Sequence, residues 1–229
     1  MTIKFYDRRD AGKYLADKLK LYIKNNFNSE GKKESFIVMA IPRGGIIIGD
    51  VIASELNIDM DIIISKKIGA ENNPELAIGA IMADGSYILN EDIVNRINIS
   101  NEYIKTQVEI KKKEIERRLM EFRGKKEYHN ELKDRVIILV DDGIATGATV
   151  LAAVKWIKEK QHSKSLIVAV PVAPAESNIL DKLNQIADKV IVIFTPYDFA
   201  AVGQFYEHFD QVSDKEVKEI MNKYNIVTL

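Results

Sequence analysis

The chain has 229 residues, 46% of them hydrophobic and 29% charged, with a formal net charge of −1. These values predict one globular domain, and the near-zero net charge disfavours nucleic acid or a membrane as a partner. Cysteine is absent, which excludes disulfides, thiolate metal sites and a cysteine nucleophile. No apolar run approaches the roughly 20 residues of a membrane span and the start lacks a signal-peptide core, so we expect a cytoplasmic protein.

The first part of the chain alternates helices and strands. Apolar residues at helical spacing predict a helix over Asp7–Phe27, which Asp7 or Asp10 can cap. A polar loop follows at residues 28–33. The next predicted elements are a strand at Phe36–Ile41, a helix at Ile46–Leu56 and a strand at Met60–Ser65.

A small loop, Pro42-Arg43-Gly44-Gly45, joins the first strand directly to a helix. Free N–H groups at a helix N-terminus favour an anion, and two glycines let the backbone approach a ligand closely. Arg43 adds a planar charged fork that suits phosphate oxygens. Taken alone, a tight turn with a surface arginine explains the same residues equally well.

Lys66 and Lys67 come after the second strand, where they would face the same crevice as the first loop. A solvated pair of lysines is an equally good interpretation for either residue alone. Two short strands, Ala77–Met82 and Tyr87–Leu89, then flank Asp84-Gly85, which predicts a hairpin.

Two helices follow, at Glu91–Asn98 and Asn101–Arg123. The second helix has an apolar stripe, and its basic residues alternate with glutamates. Such alternation is typical of a salt-bridged solvated face and disfavours a nucleic-acid surface. Residues 124–133 read as a polar connector.

The strongest pattern runs from Val136 to Thr149. Five apolar residues, Val136–Val140, predict a strand buried on both faces, and Asp141 and Asp142 come directly at its end. A loop of small residues then leads into a helix, so free N–H groups and threonine hydroxyls would favour an anion there. Two carboxylates beside an anion cradle suit a sugar phosphate. The alternative is a buried strand, a solvated acid pair and an ordinary turn.

The rest of the chain adds a strand at Ser165–Val170, a helix at Pro174–Ile186 and a strand at Val190–Phe194. These complete the pattern of a doubly wound, mostly parallel α/β sheet flanked by helices. The tail is rich in aromatic residues, which suggests a flat partner or a docking surface. The three histidines, His129, His162 and His208, have no metal-ligand spacing and read as surface residues.

The run from Val136 to Thr149 closely resembles the 5-phosphoribosyl-1-diphosphate (PRPP) motif of type I phosphoribosyltransferases. The resemblance implies that Asp141 and Asp142 hold the ribose hydroxyls, directly or through Mg²⁺ or water. The loop would hold the 5-phosphate through residues that surround the helix N-terminus: Gly143, Ala145, Thr146, Gly147, Ala148 and Thr149. A glycine at 147 would allow the backbone to approach the phosphate.

By the same resemblance, Arg43, Gly44 and Gly45 form the loop that binds the diphosphate of PRPP. Similar loops in the family carry a non-proline cis peptide, which would fall at Pro42–Arg43. Lys66 and Lys67 would steady the leaving diphosphate. Mg²⁺ is the implied cofactor, and a homodimer is the implied assembly.

The family also implies how the domain is divided. A core at about residues 34–195 would carry a mobile lid at about 67–90, a helical insertion at about 91–123 and a hood segment at about 196–229, all within one domain spanning 1–229. Within the lid, Gly69–Pro74 carries turn signals. Glu75, the loop acid nearest the crevice, reads better as a cap or a solvated acid.

The tail loosely resembles the base-recognising end of hypoxanthine-guanine phosphoribosyltransferases. Phe199 matches the stacking phenylalanine there, although an extra residue precedes Gly203, and core packing explains it equally well. Ala145 replaces an aspartate that contacts the purine in many relatives, so the general base must lie elsewhere. The resemblance therefore leaves two functions open, a transferase acting on a nucleobase-like acceptor and a PRPP-sensing regulator.

Overall fold

The computed structural model describes residues 4–27, 35–128 and 132–224. Its helices are α1 (Arg8–Asn26), α2 (Gly44–Leu56), α3 (Glu91–Arg96), α4 (Asn101–Arg123), α5 (Ala148–Lys160), α6 (Asn178–Ile186) and α7 (Asp214–Met221). Its strands are β1 (Phe36–Ala40), β2 (Asp59–Ile62), β3 (Lys66–Ala70), β4 (Asn73–Ile81), β5 (Tyr87–Leu89), β6 (Val136–Val140), β7 (Ser165–Val172) and β8 (Lys189–Phe194). A 3-10 helix covers Val202–Phe205.

The main sheet confirms the predicted α/β class. Its five parallel strands are arranged in the order β2-β1-β6-β7-β8. The chain moves outward from β1 to β2 on one side and from β6 through β7 to β8 on the other. Strands β1 and β6 therefore meet at the topological switch point, where open α/β sheets bind their ligands. Both are buried along their whole length, which explains their uninterrupted apolar sequences.

Helix α1 begins where the sequence predicts. The Asp7 side chain accepts a hydrogen bond from the Asp10 N–H at 2.8 Å, while the Asp10 carboxylate accepts one from the Tyr6 N–H at 3.1 Å. The two acids thus satisfy free N–H groups reciprocally at the helix start. This cap fixes the first helical residue, Arg8, close to the carboxyl ends of the main sheet.

A second, antiparallel sheet is formed by β3, β4 and β5. The hairpin predicted at Asp84-Gly85 is confirmed: Gly85 has φ 85°, and the Asp84 carboxylate accepts a hydrogen bond from the Ser86 N–H at 2.9 Å. Strand β3 is absent from the sequence prediction, because Gly69 and Ala70 read as turn residues there. Pairing with β4 makes them part of a strand.

Segments near the start and near the end of the chain lie side by side. The Phe5 N–H donates to the Phe205 carbonyl at 2.8 Å, and the Phe5 carbonyl accepts from the Glu207 N–H at 2.8 Å. Further along, the buried Asp50 carboxylate of α2 accepts from Lys223 at 2.9 Å and from the Tyr224 hydroxyl at 2.9 Å. The N-terminal and C-terminal segments are therefore held as one unit against the sheet.

Several sequence predictions on boundaries are wrong, and strand β4, for example, begins at Asn73 rather than Ala77. Strand β2 ends at Ile62 rather than Ser65. Helix α6 begins at Asn178 rather than Pro174, because Ala173 and Ala175 N–H groups first bond to carbonyls on and just beyond β8.

The connector predicted at residues 124–133 is not polar throughout. It buries Tyr128 and Leu132, and the Tyr128 hydroxyl donates to the Ile62 carbonyl at 2.9 Å. Its ring packs edge-on against Trp156. The polar loop at 28–33 and His129 lie outside the described residues. None of the described helices is both long and apolar enough to span a membrane.

Candidate active site

The loops that follow β1 and β6 begin next to each other at the carboxyl edge of the main sheet. Ala40, the last residue of β1, pairs with Val140, the last residue of β6. The Ile41 N–H extends this ladder by donating to the Val140 carbonyl at 2.9 Å. The loop after β1 and the acid pair after β6 therefore emerge side by side, as the sequence predicts.

Gly44 and Gly45 lie directly against the acid pair. A Cβ on Gly44 would overlap the Asp142 carboxylate. A Cβ on Gly45 would lie 2.9 Å from the Asp141 Cα, closer than side chains normally approach. Glycine is needed at both positions because a side chain would displace the acids.

The Pro42–Arg43 peptide bond is cis, as the family resemblance allows. Arg43 precedes α2 without a side-chain cap, so the first N–H groups of the helix are left for another partner. The Arg43 guanidinium lies 3.5 Å from an Asp214 carboxylate oxygen in the first turn of α7. A phosphate group approaching Arg43 would therefore compete with this carboxylate.

The acid pair has an unusual electrostatic environment. Burial raises the pKa of Asp141 well above its usual range, and the neighbouring Asp142 charge raises it further. Burial also raises the pKa of Asp142, although an ion pair with Arg8 opposes that shift. The Asp141 carboxylate accepts a hydrogen bond from the Asp142 N–H at 2.8 Å. The pair thus favours a ligand that brings positive charge or hydrogen-bond donors.

The loop after the acids ends at the N-terminus of α5. Gly147 caps that helix without a side-chain hydrogen bond, so N–H groups of the first turn, including those of Ala148 and Thr149, have no acceptor within the helix. Ala145 and Thr146 are exposed at the tip of the loop. This geometry suits an anion, in agreement with the expected phosphate cradle.

The glycines of this loop have a packing role that the sequence did not indicate. Gly147 has φ 75°, and a Cβ there would overlap Ile179 of α6 rather than the ligand side of the loop. A Cβ on Gly143 would lie 2.6 Å from the Val202 side chain. These glycines therefore allow the loop to pack against α6 and the tail, whereas the approach of the Gly147 backbone to a phosphate stays a prediction.

Three residues near the acids were missed by the sequence analysis. The Arg8 Nε donates to the Asp142 carboxylate at 2.8 Å. The Tyr206 hydroxyl donates to the Asp142 carbonyl at 2.6 Å, and burial raises its pKa. The Phe209 ring lies under the Arg8 guanidinium, 3.8 Å from its carbon. Only the aromatic density of the tail signalled any of them.

The remaining predicted site residues, Lys66, Lys67 and Phe199, make no hydrogen bond or ion pair with the acid pair in the described part of the chain, and their roles stay predictions. Lys66 and Lys67 open β3, and the Lys66 ammonium pairs with Glu114 of α4. Phe199 packs against Phe205, with ring centroids 5.3 Å apart. The structure thus brings Arg43, Gly44 and Gly45 together with the acids and the loop of α5, and it gives Lys66 and Phe199 other partners.

The acid pair fits a hard divalent cation. Carboxylate oxygens are the donors that Mg²⁺ prefers, and Mg²⁺ is often held by one or two carboxylates together with substrate phosphates. Burial and the neighbouring Asp142 charge raise the pKa of Asp141, so a bound cation would stabilise its ionised form. Among residues 4–27, 35–128 and 132–224, no group of three acids, histidines or cysteines could hold a metal ion without such help.

Comparison with known proteins identifies the family of this chain. A family model described as "Phosphoribosyl transferase domain" matches residues 10–200. A protein of Mycobacterium tuberculosis (strain ATCC 25618 / H37Rv) named "Putative phosphoribosyl transferase" is 33% identical over 219 residues, or 96% of this chain and 46% of that protein. The chain therefore spans about half the length of the curated relatives it matches.

Solved structures agree with the fold. The protein TT1426 from Thermus thermophilus is 31% identical, with a TM-score of 0.77 over 97% of this chain and 99% of that one. The hypoxanthine-guanine phosphoribosyl transferase of L. donovani shares the fold at 11% identity, with a TM-score of 0.50 over 86% of this chain and 83% of that one. By its sequence match, its parallel sheet and its acid-and-loop site, this chain belongs to the phosphoribosyl transferase domain family.

Proposed function

We propose that the protein transfers the 5-phosphoribosyl group of PRPP to a nucleobase-like acceptor and releases diphosphate. The observation that carries the proposal is the contact of Gly44 and Gly45 with Asp142 and Asp141 beside the open N-terminus of α5. One crevice thus offers carboxylates for ribose hydroxyls and free N–H groups for phosphate. PRPP presents both ribose hydroxyls and phosphate groups.

The reaction breaks the bond between the anomeric carbon and diphosphate and forms a bond from that carbon to the acceptor. Positive charge develops on the ribose ring, and the carboxylates of Asp141 and Asp142 would stabilise it while holding the hydroxyls. Negative charge develops on the leaving diphosphate, which Arg43 and the N–H groups at Gly44 and Gly45 would stabilise. Bound Mg²⁺ would supply further charge neutralisation for the diphosphate.

A screen for diphosphate release tests this proposal. The protein with Mg²⁺ and PRPP would be offered a panel of purines, pyrimidines and other amines, with Asp141→Asn as the matched control. We expect at least one acceptor to release diphosphate faster than hydrolysis does, and the control to release it more slowly than the wild type at low PRPP concentration. Mg²⁺–PRPP that binds without releasing diphosphate for any acceptor would instead favour the sensor, the second function that the sequence leaves open.

The hairpin of β3 and β4 is proposed as the lid of this site. The Tyr103 hydroxyl of α4 donates to the Gly69 carbonyl at 2.9 Å, which ties α4 to the strand beside the hairpin turn. Tyr103→Phe removes one hydrogen bond, worth about 0.5–1.5 kcal/mol, so hydrogen exchange at residues 69–74 should become up to about tenfold faster. Exchange measured by mass spectrometry would check this.

The same measurement tests lid closure. Saturating Mg²⁺–PRPP should slow exchange at residues 69–74 in the wild type, while β6 stays strongly protected in both states. Tyr87→Phe, in β5 of the same sheet, is a matched control because Tyr87 is exposed. Unchanged exchange on ligand binding would contradict a closing lid, and equal exchange in Tyr103→Phe and wild type would contradict the anchor.

A further inference from the structure

Arg8 occupies the space beside Asp142. Its Nε donates to an Asp142 carboxylate oxygen at 2.8 Å, and its side chain is only 11% exposed. The positive charge therefore lies where the proposed function places ribose hydroxyls and a divalent cation. A ligand that binds the Asp142 carboxylate must therefore displace Arg8 from it.

The same guanidinium covers the ring of Phe209. Its carbon lies 3.8 Å from the ring centroid, and Tyr206 packs against Phe209 with centroids 4.9 Å apart. A planar cation on an aromatic face is a favourable contact. It also fills the position that a planar heterocycle would take on that face of the ring. Phe209 and Arg8 both border a cavity with Arg43 and Gly44, so this ring faces the site.

Arg8 also holds the tail in place. Its Nη1 donates to the Asp210 carbonyl at 2.8 Å, and four residues further on Asp214 pairs with Arg43 at 3.5 Å. The Arg8 guanidinium thus pairs with the Asp142 carboxylate, which would bind ribose. The Asp214 carboxylate pairs with Arg43, which would bind diphosphate. Arg8 contacts Phe209 and Asp210, and Arg43 contacts Asp214, so both arginines bind the segment Phe209–Asp214, which we call the tail strap.

We propose that Arg8 is a built-in occupant of the site, which Mg²⁺–PRPP must displace from Asp142 and from Phe209, releasing the tail strap. This inference rests on the proposed function and deepens it. Displacement frees one face of Phe209, which the structure assigns as the stacking surface for a planar aromatic acceptor. Arg8 is a positioning residue in this arrangement: it sets the affinity for the first substrate and uncovers the surface for the second.

Arg8→Ala tests the displacement directly. Removing the competitor should tighten Mg²⁺–PRPP binding about tenfold, because a charge-assisted hydrogen bond no longer has to be broken first. The variant should also be less stable, since Asp142 then lacks its cation. Arg8→Lys keeps the charge but not the planar contact with Phe209, so it should fall between wild type and Arg8→Ala. Arg9→Ala is the matched control, because Arg9 is half exposed and pairs with Asp50 instead.

Titration calorimetry with Mg²⁺–PRPP separates the outcomes. Tighter binding by Arg8→Ala than by wild type and Arg9→Ala supports the inference. Equal or weaker binding by Arg8→Ala overturns it while leaving the proposed function in place, because the wild type still binds. Absence of binding in every protein overturns the proposed function as well.

Hydrogen exchange in the wild type gives a second readout that needs no variant. Displacement of Arg8 should speed exchange of the amides at residues 209–212 by severalfold when Mg²⁺–PRPP is added, because the Asp210 contact is lost. A purely structural Arg8 would leave this exchange unchanged or slower on ligand binding, and either result would overturn the proposal.

Discussion

Replacing Asp141 by Asn should weaken Mg²⁺–PRPP binding about ten- to hundredfold and at the same time stabilise the fold. A hydrogen bond that involves a charged group contributes on the order of 1.5–3 kcal/mol, which gives this range of affinity. Asn keeps the shape and still accepts the hydrogen bond from the Asp142 N–H, which is 2.8 Å long. Only the buried charge is lost.

The gain in stability follows from the sign of the pKa shift. Because burial and Asp142 raise the pKa of Asp141, the folded protein holds its proton more tightly than the unfolded chain does. Ionised Asp141 therefore destabilises the fold at neutral pH, and this cost disappears below the unfolded pKa of roughly 3.9. At pH 7 the free energy of unfolding of the Asn variant should be about 0.5–2 kcal/mol higher than that of the wild type, which is the range for many stabilising substitutions. Near pH 3 we expect no difference between the two proteins.

Asp142→Asn should weaken Mg²⁺–PRPP binding by a similar factor. Burial raises the pKa of Asp142, so loss of its charge by itself favours the variant. The change also leaves the Arg8 guanidinium, which is only 11% exposed, without its carboxylate partner, and we expect this larger cost to destabilise the fold. Because one variant should be more stable than the wild type and the other less stable, each variant serves as a control for the other. Calorimetric titration measures the affinities, and urea unfolding at pH 7 and pH 3 measures the stabilities. Two variants that bind Mg²⁺–PRPP like the wild type would contradict the assignment of the acid pair.

Gly44→Ala should reduce Mg²⁺–PRPP binding by roughly a hundredfold or more. Its Cβ would overlap the Asp142 carboxylate and lie 3.0 Å from the Arg8 Nε, so the acid must move. A displacement of about 1 Å in a site of this kind costs on the order of a hundredfold. Overpacking should also cost about 1–3 kcal/mol of stability.

Gly124→Ala provides the matched control for this variant. Gly124 ends α4 with φ 74°, and no atom lies within 4 Å of a Cβ there. The left-handed backbone makes alanine cost roughly 1–2 kcal/mol, similar to the expected loss in Gly44→Ala. We expect both variants to lose stability and only Gly44→Ala to lose binding. Wild-type affinity in Gly44→Ala would show that Gly44 does not border the PRPP site.

The sequence by itself predicted the class of fold and the centre of the site. The apolar runs at β1 and β6 identified two buried parallel strands, because strands covered on both faces carry no polar residues. The residues after each run, Gly44 with Gly45 and Asp141 with Asp142, were placed in one crevice because parallel strands end at the same edge. Local pattern was sufficient here, since each signal lies within one strand and its following loop.

Only the tertiary structure decided what surrounds that centre. Arg8, near the start of the chain, contacts both Asp142 and Phe209, and no local pattern records a contact between residues so far apart. Lys66 pairs with Glu114 of α4, a partner that the sequence did not indicate, and its expected role beside the leaving diphosphate stays a prediction. Gly147 is glycine for its left-handed backbone and for Ile179 of another helix. Packing determines the contacts between distant segments, and the residue pattern of a single strand does not predict them.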